Sequence, residues 1–176
     1  MLTCGCAKED AALEEALNFR TSLLSAGGCR YSADVTADLG EKTYEFSVDC
    51  VYDETEGTVT VTSPESIAGI TAAVSGDEAQ LRFDGLALTL DGEEEGWLSP
   101  MAAAWTLGTA WETDYISAGG DDGGRYRMTI LKGYDEEEIQ IDTWLEDGIP
   151  VRSEVSCGGE RILTAVIREF GLGPGE

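Results

Sequence analysis

The segment 31–52 constrains the fold most, because two alternating patterns of apolar and polar residues meet in it at Gly40-Glu41. In each half, apolar residues occupy every second position. A two-residue turn of the type II′ kind, which glycine favours, pairs Val35 with Phe46 and puts all the apolar residues on one face. A shift of the pairing by one residue would expose Phe46 to water. We therefore predict an antiparallel sheet with a single apolar face that the rest of the chain must cover.

Charge and composition exclude several classes of function. The 176 residues suffice for one domain with a substantial core. The net charge of −24, from 35 acidic and 11 basic residues, argues against nucleic-acid binding and against electrostatic docking on anionic lipid. The chain contains no histidine, so it lacks the commonest general base and metal ligand and any serine or cysteine triad of the usual kind.

The N-terminal cysteines suggest lipid attachment. Thr3-Cys4-Gly5-Cys6-Ala7 is similar to the end of a bacterial lipobox, which makes Cys6 the candidate lipidation site, with Cys4 as the other possibility. The usual leucine three residues before the cysteine is absent, and neither a basic segment nor an apolar run precedes it. This interpretation requires a signal peptide that has been removed. The alternative is a frayed terminus.

Three further cysteines lie within the predicted domain. In the hairpin register, Cys29 is diagonal to Cys50 on the same face, and such positions are about 7–8 Å apart. That separation is long for a disulfide. We therefore predict buried free thiols rather than a bridge, with Cys157 as the third cysteine.

The remaining chain divides into one helix and short strands on either side of a second helix. The first helix is predicted over residues 9–26 and ends at Gly27-Gly28; the second begins at Ser99-Pro100 and ends at Gly108. Gly119 to Gly124 is predicted as a turn. We predict a flexible terminus over residues 1–8, a single domain over 9–172 and a tail over 173–176. Besides the hairpin, strands are predicted over residues 58–62, 70–74, 79–83, 86–90, 115–118, 125–132, 138–145, 149–157 and 161–170.

The hairpin from Asp142 to Arg152, with the sequence DTWLEDGIPVR, resembles the acidic-x-Gly-x-Pro-x-Arg/Lys hairpin near the end of LolA-like proteins. The resemblance implies a mainly β (α+β) fold: a strongly curved antiparallel half-barrel of about eleven strands, with two helices covering the concave face. It also implies a cavity that holds acyl chains or a lipidated partner. Two departures are its own possible lipidation cysteine and the lack of an arginine matching the carriers' lid contact.

The candidate site is the concave face beneath the two helices. Each candidate residue has an alternative role as plain core. The run Ala102-Ala103-Ala104 allows either close packing of the second helix or space for a ligand. The predicted lining comprises Leu17, Tyr31, Val35, Tyr44, Phe46, Val48, Leu81, Phe83, Met101, Trp105, Met128 and Val155.

No catalytic, cofactor or metal site is predicted. The acidic clusters at 93–95, 121–122 and 136–138 lack the spacing of a calcium loop and flank glycine turns, so we interpret them as solvated loops. The glycine-rich run 119–124 lacks the lysine of a phosphate loop.

The functional prediction is a non-enzymatic envelope lipoprotein, exported and anchored by lipid at Cys6. It would bind an apolar small molecule, a lipid acyl chain or a lipidated protein in the concave cavity, and would contact the membrane only through that anchor. The alternative is an extracytoplasmic regulatory or protein-interaction module that uses the same scaffold.

Overall fold

The computed structural model describes residues 6–38, 40, 42–53, 55–75, 78–83, 86–91, 100–133 and 138–175, with the backbone alone for 6–10, 74–75, 78–79, 81–83, 86–91 and 100–105. The described elements are α1 (Cys6–Ala26), β1 (Gly28–Asp38), β2 (Thr43–Asp53), β3 (Gly57–Ser63), β4 (Thr71–Ser75), β5 (Glu78–Phe83), β6 (Leu86–Asp91), α2 (Pro100–Thr113), β7 (Tyr115–Asp122), β8 (Arg125–Lys132), β9 (Ile139–Glu146), β10 (Ile149–Cys157) and β11 (Glu160–Leu172).

The strands form one antiparallel sheet in the order β6-β5-β4-β3-β2-β1-β11-β10-β9-β8-β7. The first and last strands pair at the centre, so the sheet consists of two meanders joined where the chain enters and leaves it. The sheet is open and curved, which confirms the predicted half-barrel of about eleven strands with two helices.

The hairpin register is the predicted one. Val35 pairs with Phe46, and Tyr31 pairs with Cys50. Gly40 has a φ of 81° and its N–H donates to Asp38 Oδ1 at 3.1 Å. A positive φ is a conformation that glycine adopts without strain, which accounts for the glycine at this turn.

The two helices cover different parts of the concave face. Helix α1 packs mainly on β7 and β8, and α2 packs mainly on β2 and β3, with both also reaching β1 and β11. Between them and the sheet lies one apolar core. The buried face of α1 consists of Ala12, Ala16, Phe19 and Leu23.

Two glycines, Gly108 and Gly119, do not end the elements that they were predicted to end. Helix α2 continues through Gly108 to Thr113, and a Cβ at position 108 would lie only 3.1 Å from two ring carbons of Tyr52. Strand β7 continues through Gly119, where helix α1 approaches the strand backbone. Both glycines permit close packing and terminate nothing.

Two elements extend beyond their predicted bounds. Helix α1 begins at Cys6 rather than at residue 9. Strand β11 continues to Leu172, and Gly173 N–H donates to Gly28 O at 2.7 Å. The start of the predicted tail is therefore bonded to the start of β1.

Candidate functional site: the concave face of the sheet

Six of the predicted lining residues are buried on the sheet, each at most 7% exposed. They come from four strands, β1, β2, β8 and β10, and belong to the core beneath the helices. Their contact with a ligand stays a prediction. The six residues are Tyr31, Val35, Phe46, Val48, Met128 and Val155.

Two predicted lining residues are half-exposed, and their contact with a ligand also stays a prediction. Leu17 is 50% exposed and Tyr44 is 44% exposed. Leu17 lies off the buried face of α1, which uses the small residues Ala12 and Ala16 where the helix approaches β7 closely. Tyr44 shares a face with Phe46 but lies near the start of β2, where the first three residues of the strand are exposed.

Other predicted residues lie where the structure describes the backbone only. Leu81 is in β5, where it pairs with Leu88 of β6, and Phe83 pairs with Leu86. The side chains of Met101 and Trp105 in α2, and of Cys6 in α1, lie outside the described residues.

Trp111 of α2 occupies the centre of the concave face. Its side chain is fully buried. Three aromatic rings surround it, with centroids at 5.3 Å for Tyr31, 5.9 Å for Phe19 and 6.1 Å for Phe170. The rings are tilted or edge-on to the indole, the arrangements that aromatic pairs prefer. The half of the cavity under the helices is thus filled by the protein itself.

A buried hydroxyl accepts the hydrogen bond of this indole, and a second buried hydroxyl bonds to the first. Trp111 Nε1–H donates to Thr143 Oγ1 at 2.9 Å, and Thr143 Oγ1 lies 2.9 Å from Ser153 Oγ. Thr143 and Ser153 are paired residues of β9 and β10, and neither is exposed. A buried indole N–H without an acceptor would be costly, so these residues fix the orientation of α2 on the sheet.

Arg20 joins the two helices. Its Nε donates to Trp111 O at 2.7 Å and its Nη2 to Ala110 O at 3.0 Å. These carbonyls lie in the last turn of α2, which has no basic residue of its own. Burial lowers the pKa of Arg20, while Asp114 acts to raise it. The sequence alone does not predict this role for Arg20, because it predicts the end of α2 before residue 110.

We expect Arg20→Met to lower the free energy of unfolding by about 2 kcal/mol, because it removes two charge-assisted hydrogen bonds but keeps the apolar stem. Urea unfolding measures the effect. The matched control is Arg125→Met, which removes an exposed ion pair with Glu146 and should cost about 0–1 kcal/mol. Equal effects of the two substitutions would show that Arg20 does not hold the helices together.

Two thiols and a tyrosine are buried side by side beneath α2. Cys29 and Cys50 are free and buried, as predicted, and Cys157 is free and half-buried. Tyr31, paired with Cys50, shares a side-chain hydrogen bond with it. Burial is the main cause that raises the pKa of Cys29 and of Cys50 to about 12. Both thiols are therefore unreactive core groups at neutral pH.

The same burial predicts a loss of stability in alkali. An unfolded thiol loses its proton near its ordinary pKa of 9.0, whereas the folded thiols keep theirs to about 12. Their contribution is complete below pH 9 and is lost as the pH rises through this interval, at about 1.4 kcal/mol per pH unit for each thiol. Urea unfolding between pH 8 and 10.5 measures the slope.

The double variant Cys29→Ala, Cys50→Ala should show a much shallower slope than the parent protein. Cys157→Ala is its control and should keep the steep loss, because both buried thiols remain. A stability that is flat from pH 8 to 10.5 in the parent protein would contradict the burial of these thiols.

A small cleft marks the end of the helix cover, between α2 and strands β2 and β3. Its volume of about 10 Å³ corresponds to no more than one water molecule. This cleft, which the described residues form, is therefore too small for an acyl chain. The cleft is lined by Tyr31, Cys50, Val51, Tyr52, Gly57, Thr58, Val59 and Gly108.

Beyond this cleft, strands β4, β5 and β6 extend the sheet, and we call these three strands the wing. Within the described chain, β3 is the last strand on this side of the sheet that the helices contact extensively. Directly paired residues of an antiparallel sheet share a face, so the register continues the buried position Val59 through Ala72, Leu81 and Leu88.

Every wing position on the face of Val59 is apolar. We call these positions the apolar wing face: Ala72, Val74, Ala79, Leu81, Phe83, Leu86, Leu88 and Leu90. The other face is mostly polar or charged and comprises Thr71, Ala73, Ser75, Glu78, Gln80, Arg82, Ala87, Thr89 and Asp91. This alternation is typical of a sheet that covers something apolar on one side.

Two features of the described residues concern metal binding and membrane spanning. They contain no group of three or more acidic or cysteine side chains placed to hold a metal ion. None of the described helices is long and apolar enough to cross a membrane.

Comparison with known proteins defines the fold. A DUF1329 family protein from Desulfovibrio piger is similar, with a TM-score of 0.51 at 8% identity over 96% of this chain and 95% of that one. An uncharacterized conserved protein from Thermus thermophilus has a TM-score of 0.50 at 10% identity, over 92% of this chain and 89% of that one.

A LolA superfamily protein from Nitrosomonas europaea is similar over 94% of this chain and 93% of that one, with a TM-score of 0.47 at 9% identity. The open curved sheet and its two helices agree with the LolA-like architecture that the 142–152 hairpin implied. No protein-family model and no curated protein matches the sequence. Identities this low establish the fold alone.

Proposed function

We propose that this protein is a non-enzymatic envelope lipoprotein that binds an apolar ligand, a lipid acyl chain or a lipidated protein, on the concave side of its half-barrel. The observation that carries the proposal is the apolar wing face, which continues the core past the last strand that the helices cover extensively. The half beneath the helices is filled around Trp111, so the ligand lies on the wing.

The area of the wing suits a weak, reversible ligand. Strands about 4.8 Å apart and five or six residues long give a face of roughly 15 by 17 Å, or about 250 Å². Covering that area stabilises a complex by about 6 kcal/mol before the costs of association. Because those costs only subtract from this figure, we expect dissociation constants of about 40 μM or weaker.

Binding is tested with a fluorescent acyl probe and with native mass spectrometry of the gently purified protein. We expect saturable probe binding that Leu81→Gln and Leu88→Gln each weaken about tenfold, and a co-purifying lipid. The matched control is Ala87→Gln in β6, on the opposite face of the same strand. No saturable binding, or an equal loss in the control, would overturn the proposal.

The proposal places the protein outside the cytoplasm, attached to the membrane through lipid on Cys6. Incorporation of labelled palmitate during expression in a bacterial host, with a lipoprotein signal peptide fused before the chain, tests this anchor. Cys6→Ser should abolish labelling and Cys4→Ser should preserve it. The reverse result would assign the anchor to Cys4. If the parent chain is not labelled, the proposed lipid anchor is wrong.

A second candidate function is a regulatory or protein-interaction module, favoured by the convex face of the last meander. Trp144 Nε1–H donates to Asp122 Oδ2 at 2.8 Å, and Arg152 Cζ lies 5.3 Å from the centroid of the Trp144 ring. Arg127 pairs with Asp142 at 3.8 Å on the same face. Aromatic and arginine side chains are enriched in protein interfaces. A protein that purifies without lipid, and a partner lost on Trp144→Ala, would favour this candidate.

A further inference from the structure

We propose that the outer edge of β6 is a self-association site, at which two copies of this chain join their sheets by antiparallel pairing of β6 with β6. The inference goes beyond the proposed function and does not depend on a ligand. It comes from three features of the wing: its position at the edge of the sheet, its register and the sequence of its last strand.

The two edge strands of the sheet, β7 and β6, differ in how they discourage pairing with another strand. Strand β7 has a register shift between Ile116 and Ala118, and it ends in two acidic residues, Asp121 and Asp122. The backbone of helix α1 also lies against it at Gly119. Bulges, charges and covering elements are the means by which proteins protect sheet edges. The edge at β7 is therefore poorly suited to accept another strand.

Strand β6 is regular along its whole length. Its register with β5 runs without interruption from Asp91, opposite Glu78, to Leu86, opposite Phe83. Its sequence, LALTLD, contains neither proline nor lysine, and its single charged residue is the last one. Among the described strands, β5 is the only neighbour of β6, so the backbone N–H and C=O groups on the other side of β6 have no strand partner in the described sheet. Such a row of backbone groups is a template for one further strand.

The sequence of β6 is complementary to itself in one register. When two copies pair antiparallel about Leu88, each Leu86 lies opposite Leu90 of the second copy, and the two Leu88 residues lie opposite each other. Directly opposite residues share a face, so three leucine pairs lie on the apolar side, and Ala87 lies opposite Thr89 on the polar side. A register centred on Ala87 or on Thr89 keeps only two leucine pairs. A shift by one residue would join the apolar face of one wing to the polar face of the other. The register about Leu88 is therefore favoured, and it brings no charged residues opposite each other within 86–90.

The size of the contact indicates a weak, reversible dimer. Five paired residues give a contact about 17 Å long, which buries less than the roughly 1,200 Å² of stable complexes. Each chain has a net charge of −24, so two copies repel each other at low ionic strength. We expect a dissociation constant of about 0.1 mM at about 0.3 M salt, and association at least threefold weaker at about 10 mM salt. The dimer would join the two apolar wing faces into one face of roughly 500 Å².

The test measures association of the whole chain by sedimentation velocity, from about 0.02 to about 1 mM protein, with three double variants. Ala87→Glu with Thr89→Glu, and Ala87→Lys with Thr89→Lys, place like charges opposite each other and should each weaken association at least tenfold. Ala87→Glu with Thr89→Lys is the matched control, because it places opposite charges there and should associate at least as tightly as the parent chain. The first two variants change the net charge in opposite directions, so overall repulsion cannot explain a loss in both.

Amide hydrogen exchange of the parent chain locates the contact. Alternate N–H groups of an antiparallel strand point to each of its two sides, so alternate amides within 86–91 should exchange more slowly at about 1 mM than at about 0.02 mM protein. The amides of β7 should exchange alike at both concentrations. Protection that rises with concentration in β7 and not in β6 would show that the contact lies elsewhere.

Three results would overturn the inference. They are a parent chain that stays monomeric up to about 1 mM protein, a dimer that all three double variants leave unchanged, and a loss of association in the variant with opposite charges. Binding of the acyl probe is measured separately at low micromolar protein, where the chain is monomeric. The proposed function can therefore stand when this inference fails, and the reverse also holds.

Discussion

Replacement of Trp111 by alanine is expected to lower the free energy of unfolding by about 3–5 kcal/mol, the range for truncating a large buried aromatic residue. The indole is fully buried, and three aromatic rings lie with centroids within 6.1 Å of it. The residual cavity would lie between α2 and strands at the centre of the sheet, where the surrounding elements cannot collapse easily. Urea unfolding followed by far-ultraviolet circular dichroism measures the loss.

Thr143→Val separates the hydrogen bond from the packing. Valine keeps the shape of threonine but leaves Trp111 Nε1–H without its acceptor, so we expect a loss of about 1–2 kcal/mol. Trp144→Ala is the matched control for Trp111→Ala, since the half-exposed indole of Trp144 lies on the face of β9 opposite to Thr143. A loss below about 1 kcal/mol for Trp111→Ala would mean that the concave face is not filled around the indole.

The hairpin at 31–52 could be predicted to the individual pair because its information is local. Alternation fixes the face, and the turn fixes the register. The pairs Val35–Phe46 and Tyr31–Cys50 are those the sequence predicts, and the diagonal cysteines are free and buried as expected. The number of strands could be predicted from the same local alternation and turn residues.

The centre of the candidate site could not be predicted because it depends on contacts between distant elements. Ending α2 at Gly108 excluded Trp111, although Leu107, Ala110 and Trp111 have helical spacing that would have extended the helix. Likewise, Leu17 belongs to the apolar stripe predicted for α1, whereas the buried face of that helix consists of Ala12, Ala16, Phe19 and Leu23.

The pairing of β1 with β11 was also not predicted, since residues that meet there, such as Val35 and Ala165, are far apart in sequence. It decides which residues the helices cover, because it brings both meanders into one sheet and leaves the wing at the far end. Alternation in the wing strands indicated an apolar face, but only the strand order shows that this face lies beyond β3.

Replacement of Gly119 by alanine is expected to cost about 3 kcal/mol, an overpacking effect without any change in hydrogen-bonding groups. A Cβ at this position would lie 2.7 Å from Leu13 N and 2.9 Å from Ala12 C. Both atoms belong to the backbone of α1, so no side chain can rotate away to make room. Helix α1 would have to move off β7, which would also disturb the contact of Arg20 with α2.

Gly120→Ala is the matched control, because it is the next residue of the same strand and a Cβ there would meet nothing within 4 Å. We expect it to be neutral or to stabilise by up to about 1 kcal/mol, since alanine loses less backbone entropy on folding. Equal effects of the two substitutions would show that α1 does not pack closely on β7. A large loss for Gly119→Ala alone, accompanied by faster amide exchange in α1, would show that the spacing between helix and strand depends on this one missing side chain.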